Sequence, residues 1–534
     1  MESEFDFVIV GAGSAGCVLA NRLSADSRYT VAVLEAGGKD SSIWIHIPVG
    51  YFKTIRDPSL NWMYRTEPDS GLNGRSIGWP RGKTLGGSSS INGLLYVRGQ
   101  RQDYDQWRQM GNVGWSWADV LPLFKRAENW EEGESELRGG DGPLSVTNSQ
   151  KSWEIVDAWV DAAVQAGIPA NPDYNGKDQE GVGYFQQTAK NGLRCSTAKA
   201  YLKPIRNRSN LNIITGILTR KLHFEDGRAT AVEGIRDGKK IVVRARREII
   251  LSAGAIGSAQ ILMLSGVGPG KHLQEHGIEV AQERREVGKN LQDHLQARPV
   301  YKSRVPTINT SVGGLFNRLL IGAQYAATRT GPLTMAASLG VGFVKTRPDL
   351  ETPDIQFHIQ PFSTDDPIEG MHDFDGLTAS VLQLRPESTG EIRLKSSDPH
   401  DHPAIHANYL ATPTDCQTIV EGVRIARKVC RQEPVSNLII EEHSPGCKID
   451  DEDYEGLLDW VRSTATTIYH PTSTCRMGTD DNAVVDPRLR VQGIDRLRIA
   501  DCSIMPSIVS GNTNAPAIMI GEKASDMILE DANR

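Results

Sequence analysis

A chain of 534 residues exceeds what one ordinary hydrophobic core fills, so two or three domains, or one fold with large insertions, are expected. A hydrophobic content of 39%, with 52 glycines and 27 prolines, suits a large, loop-rich α/β protein. The net charge of −7, from 59 basic and 66 acidic residues with no basic run or stripe, argues against a nucleic-acid partner.

No stretch approaches the ~20 apolar residues of a membrane span, which leaves only peripheral membrane contact open. The seven cysteines (17, 195, 416, 430, 447, 475 and 502) form no CxxC pair and read as reduced thiols of a cytoplasmic protein. A strand-like run starts at residue 5, leaving no room for a cleavable signal peptide.

The apolar run Phe7 to Val10 predicts a buried parallel strand. It ends in Gly11-Ala-Gly13-Ser14-Ala15-Gly16, a helical pattern follows over Cys17 to Leu23, and a second strand, Thr30 to Leu34, ends in Glu35 and Ala36. This is a dinucleotide fingerprint in its required setting of strand, glycine turn, helix and strand. Gly11 permits the tight turn, Gly13 lets the backbone approach a pyrophosphate, and Gly16 lets the helix pack close to the strand. The helix N-terminus then offers N–H groups to phosphate charge. Glu35, nineteen residues past Gly16, is placed to accept the ribose hydroxyls of an adenosine. An acid there disfavours a 2′-phosphate, and NADP with it.

Residues 38 to 75 read as irregular, with Trp44, His46, Trp62 and Tyr64 expected to pack under a long loop. Then comes Thr84-Leu-Gly86-Gly87-Ser88-Ser89-Ser90-Ile91-Asn92-Gly93, whose clustered N–H groups and hydroxyls suit a pyrophosphate or a flavin ring. The apolar continuation Leu94 to Val97 argues against a mere linker. Residues 205 to 300 extend the nucleotide domain through strand-like runs at Leu211 to Ile214, Ile217 to Phe224, Lys240 to Ala245 and Glu248 to Ser252. A helix over 258 to 264 opens at a glycine-serine turn, a second N-terminus available to a cofactor.

From 301 to 462 the character changes. Ile355 to Gln360 alternates apolar and polar, and Leu377 to Leu384 and Glu391 to Leu394 are strand-like, which predicts a mixed or antiparallel sheet. Ile419, Val423, Ala426 and Cys430 recur at helical spacing, predicting a helix packed on that sheet. His400, His402 and His406 sit between prolines 399 and 403 and read as a loop, not a metal site. Near the C-terminus stand Tyr469-His470-Pro471 and Gly511-Asn512-Thr513-Asn514. An imidazole there is a candidate base near neutral pH.

The loop 80–93 resembles the first signature of the glucose–methanol–choline oxidoreductases. Gly192 to Leu202, Gly254 to Gly268, Val287 to His294, Arg385 to Gly390 and the His470 region fit the same family in the same order; Ala259 departs from its usual pattern. The resemblance covers nearly the whole chain. It implies an α/β (α+β overall) architecture, with a Rossmann-like FAD domain over 1–100, 205–300 and 463–534. A substrate domain on a mixed sheet would take 101–204 and 301–462. It implies FAD contacts at Gly11, Gly13, Ser14, Ala15, Gly16, Glu35 and Ala36, and at Thr84, Gly87, Ser88, Asn92, Gly93 and Leu94 in the loop. Further contacts fall at Leu218, Ala253, Gly254, Asp501, Cys502 and Asn514.

The same resemblance assigns His470 as base and Asn512 as holder of the alcohol oxygen, with Asn514 nearer the flavin. Ile91 stands where some members tether FAD through histidine, so noncovalent FAD is expected. The acid of choline dehydrogenases falls at Leu339, which implies an apolar pocket, shared with Ile468 and Tyr469, for neutral primary alcohols, aliphatic, aromatic or polyether, rather than choline. The implied activity is alcohol dehydrogenation with electrons passed to a quinone or dye. The alternatives are an oxidase using O₂, a choline dehydrogenase, or a lyase or decarboxylase on the same scaffold.

Overall fold

The computed structural model describes residues 2–149, 152–365 and 370–533. Two sheets organise it. The first has seven strands, ordered Leu211–Thr215, Val31–Glu35, Glu2–Val10, Lys239–Leu251, Arg228–Arg236 and Leu218–Glu225, with Leu497–Ile499 beside Lys239–Leu251. The strands nearest Glu2–Val10 run parallel, with Val10 level with Leu34 on one side and Leu251 on the other. Phe7 to Val10 and Val31 to Leu34 are buried throughout, as apolar strands covered on both faces must be.

The two runs expected at Lys240 to Ala245 and Glu248 to Ser252 are one strand of 13 residues. Arg246 falls between the two expected runs. Its guanidinium turns outward onto Asp6 at 3.0 Å, at the register shift between Phe5 and Phe7. The first half of that strand pairs antiparallel with Arg228–Arg236 on one edge and parallel with Glu2–Val10 on the other, and the second half continues the parallel core.

The helix Ser14–Leu23 packs against the C-terminal helix Asn514–Ala532. A methyl at Gly521 would lie 2.9 Å from the Ala15 carbonyl, so glycine is what lets the two helices approach. Buried Glu522 ties them together, pairing with Arg22 and Arg126 at 2.8 Å and accepting from the Tyr201 hydroxyl at 3.0 Å.

The second sheet has eight strands, all paired antiparallel: Ile439–Ser444, Val300–Ser303, Gly376–Gln383, Ile355–Gln360, Gly340–Val344 and Gly181–Tyr184, with Leu295–Ala297 and Thr466–Thr467 at its side. These last two strands lie in stretches assigned from sequence to the nucleotide domain. Ile355–Gln360 is buried on both faces despite its alternation. Phe357 packs on Trp159 of the helix Glu154–Gln165, while His358 and Gln360 face the central cavity. The helix Pro413–Cys430 covers Gly376–Gln383. Glu391–Arg393 does not join this sheet but pairs with Ala404–His406 in a separate two-stranded ribbon. The helix Leu315–Thr328 is unusual in turning Leu315 and Phe316, 77% and 72% exposed, out to solvent together with Leu319 and Leu320.

Candidate active site

One deep cavity runs from the first sheet to the second. Its nucleotide end forms where Glu2–Val10 stops. A methyl on Gly11, at φ 101°, would sit 2.4 Å from the Ser252 carbonyl, and one on Gly16 only 2.0 Å from the Gly11 carbonyl. Both glycines are therefore required by backbone approach, and Gly16 works in packing, away from the cavity wall. Gly13 is the N-cap of the helix and has no side-chain cap. Its Cα would lie 2.7 Å from a methyl at Gly87, so the fingerprint turn and the loop 80–93 meet backbone to backbone. A cradle of N–H groups that a single Cβ would fill fits the pyrophosphate of a dinucleotide.

Glu35 lies on the wall, but both its oxygens already accept backbone N–H groups, from Ala12 at 2.9 Å and Gly37 at 2.8 Å. Burial raises its pKa to about 6. The carboxylate thus shapes the turn, and each oxygen keeps a lone pair for a ribose hydroxyl. Ser14, Ala15, Ala36, Gly87, Ser88, Asn92, Gly93, Leu218, Ala253, Gly254, Asp501, Cys502 and Asn514 also line the cavity.

Three expected contacts stand off the wall. Thr84 donates to the Gly38 carbonyl at 3.1 Å, Leu94 is buried in an apolar cluster with Leu95 and Val97, and Gly16 is covered by its own helix packing. Two of the three serine hydroxyls of the loop are committed within the protein: Ser89 to the Gly86 carbonyl and Thr197, Ser90 to the Leu85 carbonyl. Buried Arg194 holds this loop through the Ser89 carbonyl and Asn92. The helix expected at 258 begins at Gly254, and its first N–H is already taken by Asp501 at 2.9 Å. The N-terminus of Asn514–Ala532 is joined to the fingerprint instead, with Asn514 accepting from the Ser14 hydroxyl at 2.7 Å.

At the other end His470 and Asn512 come together as expected, with Asn512 Nδ2 3.1 Å from His470 Nε2. The backbone N–H of His470 donates to buried Asp293 at 2.6 Å, and Thr467 and Tyr409 donate to the other Asp293 oxygen. Tyr469 sits at φ 71°, a left-handed conformation costly for a tyrosine, and its carbonyl accepts from Arg81 at 2.6 Å. His294 was not singled out from sequence. Its Nδ1 lies 3.0 Å from His470 Nδ1 and its Nε2 2.9 Å from the Leu384 carbonyl.

These contacts assign the protons. A carbonyl only accepts, so His294 Nε2 carries the hydrogen and His294 Nδ1 the lone pair. His470 Nδ1 must then donate, which puts the His470 lone pair on Nε2, facing Asn512. Burial, reinforced by the positive charge of Arg81 and by the neighbouring imidazoles of His294 and His358, holds the His470 pKa well below the ordinary value near 6.5. His294 falls to about 4 by burial. His470 is therefore a neutral imidazole with its basic nitrogen aimed into the cavity.

The substrate side departs from expectation. Leu339 is buried in the core, off the wall, and its backbone pairs with Ile359 and Phe185. The wall mixes Gln296, Arg298, Ser338, His358 and Gln360 with Phe362, Ile468 and Tyr469, so the chamber is not wholly apolar. The alternation of Ile355–Gln360 was the available signal: its polar face is the chamber face. Trp62 and Tyr64, expected to pack under a loop, line the cavity and stack on each other at 5.7 Å, whereas Trp44 is exposed and His46 bonds the Asp40 carbonyl. His402 packs edge-on against Tyr64, and His400 bonds Asp398.

The sequence profile of the GMC oxidoreductases matches residues 5–296 and 386–521. The chain is 43% identical to the alcohol dehydrogenase [acceptor] of Pseudomonas putida, over 98% of its own length and 96% of the relative's. It is 41% identical to the oxygen-dependent choline dehydrogenase of Photobacterium profundum, over 99% and 94%. Among solved structures, a formate oxidase variant of Aspergillus oryzae RIB40, described for its FAD modification, superposes with a TM-score of 0.92 at 27% identity over 99% of both chains. By profile, by sequence and by fold, the chain belongs to the GMC oxidoreductase family.

Proposed function

We propose that the protein oxidises a primary alcohol to the aldehyde with His470 as the base. The observation that carries this is the neutral His470, with its lone pair on Nε2 beside a carboxamide donor. A substrate hydroxyl between the two would donate its proton to His470 Nε2 while Asn512 Nδ2 donates to the oxygen and stabilises the developing alkoxide. FAD, when bound, supplies the two-electron acceptor for the hydride. Gly13, Glu35 and Leu218 would hold its adenosine and pyrophosphate part; Asn92, Gly93 and Asn514 would hold the ring end. Ile91 on the wall offers no nucleophile, which supports noncovalent binding.

Electrons then pass to a quinone or artificial dye, a reading supported by the name of the Pseudomonas putida relative. The name of the Photobacterium profundum relative favours O₂ instead, and rapid mixing of the reduced protein with air-saturated buffer and with a quinone separates the two. None of the described helices is long and apolar enough to cross a membrane. A peripheral contact on the inner membrane face would use Leu315–Thr328, whose apolar side faces outward beside Arg318. Binding to anionic vesicles that survives Phe316→Glu would remove that helix from the contact.

The central test is optical. The purified yellow protein should bleach when mixed anaerobically with a primary alcohol. A holoprotein that no primary alcohol bleaches overturns the assignment.

A further inference from the structure

One buried cation beside the cofactor cradle has no counter-charge. Arg194, in the short strand Leu193–Arg194, is 1% exposed. Its Nε donates to the Ile45 carbonyl at 2.8 Å, and its Nη1 donates to the Asn92 side-chain oxygen at 2.6 Å and to the Ser89 carbonyl at 3.2 Å. All three acceptors are uncharged, and among the described residues Nη2 has no hydrogen-bond partner. Arg98, Arg138, Arg427 and Arg498 are buried too, yet each pairs with a carboxylate at 2.5 to 2.9 Å. Arg194 makes no such pair among the described residues.

The charge persists at neutral pH. Burial lowers the Arg194 pKa to about 9, which leaves the guanidinium protonated at neutrality. The one group that opposes this shift is the Tyr51 hydroxyl, which burial keeps protonated by holding its pKa well above the ordinary value. A buried guanidinium left unpaired is costly unless a charge arrives to balance it. Its position says where that charge would come from. Asn92, which accepts from Nη1, lines the cavity, as do Ile91 and Gly93 on either side of it. The guanidinium thus stands immediately behind the wall proposed above for the ring end of FAD. Hydride transfer carries two electrons and one proton to a neutral ring, which is left with one negative charge.

We infer that Arg194 is the counter-charge of the reduced flavin: acting through the wall, it favours the anionic reduced ring and raises the cofactor's affinity for electrons. The inference rests on FAD occupying the cavity and is independent of which substrate is oxidised. A unit charge acting over ~10 Å through an effective dielectric of about 20 changes an equilibrium by roughly 10- to 20-fold.

The test is the reduction equilibrium of the holoprotein against a reference dye, in which no alcohol takes part. Arg194→Gln keeps a neutral donor for Asn92 or the Ser89 carbonyl and removes the charge; Arg194→Lys keeps the charge and loses the fork of donors. Arg194→Gln should shift the equilibrium toward oxidised flavin by about 10-fold or more, which is about 30 mV for a two-electron couple. Arg194→Lys should stay within about 3-fold of wild type, since the charge is retained. A residue that only clamps the loop 80–93 predicts no such advantage for lysine. An equilibrium unmoved in Arg194→Gln, or shifted as far in Arg194→Lys, overturns the inference.

A second readout needs no variant and decides the matter if a variant fails to hold flavin. Wild-type holoprotein reduced with dithionite and titrated by absorbance should keep its anionic ring below the pH at which free reduced flavin protonates, because a nearby positive charge favours the charged form. Protonation at or above that pH overturns the inference. A protein that no primary alcohol bleaches, but whose dye equilibrium responds to Arg194→Gln and not to Arg194→Lys, would lose the oxidation reading and keep this one.

Discussion

His294 makes the sharpest demand on the proposed mechanism, because it touches no substrate and acts only through His470. In His294→Leu the acceptor 3.0 Å from His470 Nδ1 is gone. The Nδ1–H would then be a buried donor without a partner, a cost of about 1–3 kcal/mol. The ring escapes that cost by moving its hydrogen to Nε2, where it is useless as a base. At about 1.4 kcal/mol per tenfold, flavin reduction should slow by roughly 5- to 150-fold. The assay is anaerobic stopped-flow reduction at saturating alcohol, with flavin content and circular dichroism confirming an intact holoprotein. His294→Gln, whose side-chain oxygen can accept from Nδ1, should recover part of the rate, which a role in packing alone does not predict. Wild-type reduction by His294→Leu, or no difference between the Leu and Gln variants, refutes the proton assignment.

Other outcomes follow from the same geometry. His470→Ala should slow reduction by at least ~10²-fold while retaining FAD, as expected for loss of a general base. Asn512→Ala should cost about 10- to 10³-fold in the reductive step, through the lost oxyanion donor. If Asn514→Ala reproduces that loss and Asn512→Ala does not, the two asparagines have been exchanged. Because burial lowers the His470 pKa well below 6.5, the reduction rate should be flat from pH 8 down past 6.5, and a break at or above that value contradicts a neutral base. Stability should show the linked effect. His294 and His358, with folded pKa values of about 4 and about 3, are neutral in the fold but protonate near 6.5 when unfolded. The unfolded chain thus binds more protons below 6.5, so stability is full above that pH and falls as pH drops toward 4, measurable as a declining Tm. Acid precipitation should release FAD into the supernatant, and flavin retained on the denatured chain would show a covalent bond.

Local signals were legible wherever the chain speaks to its neighbours in sequence. The strand Phe7 to Val10, the glycine turn and Glu35 could be read directly, because a backbone-to-backbone approach demands glycine at fixed spacing and a buried parallel strand demands a continuous apolar run. His470 and Asn512 were readable by resemblance, and the fold brings them to 3.1 Å. What stayed hidden depends on contacts across the chain. His294 lies 176 residues from the imidazole it orients, and no motif states that pairing. The serines of the loop 80–93 read as ligand donors, but the fold spends Ser89 and Ser90 on the loop itself, and Asp501 occupies the helix N-terminus that looked free. The substrate wall was misread for a related reason. Leu339 occupied the aligned position, yet which residues of a strand face a cavity depends on what covers its other face. Trp159 takes one face of Ile355–Gln360, so the polar residues His358 and Gln360 are left to the chamber. Sequence alone determined the glycine turn of the cradle, which short-range sterics specify, while His470 was reached through resemblance. Only the packing of the two sheets decided the base's tautomer and the polarity of the substrate chamber, since both depend on which distant groups are close enough to exchange a hydrogen bond.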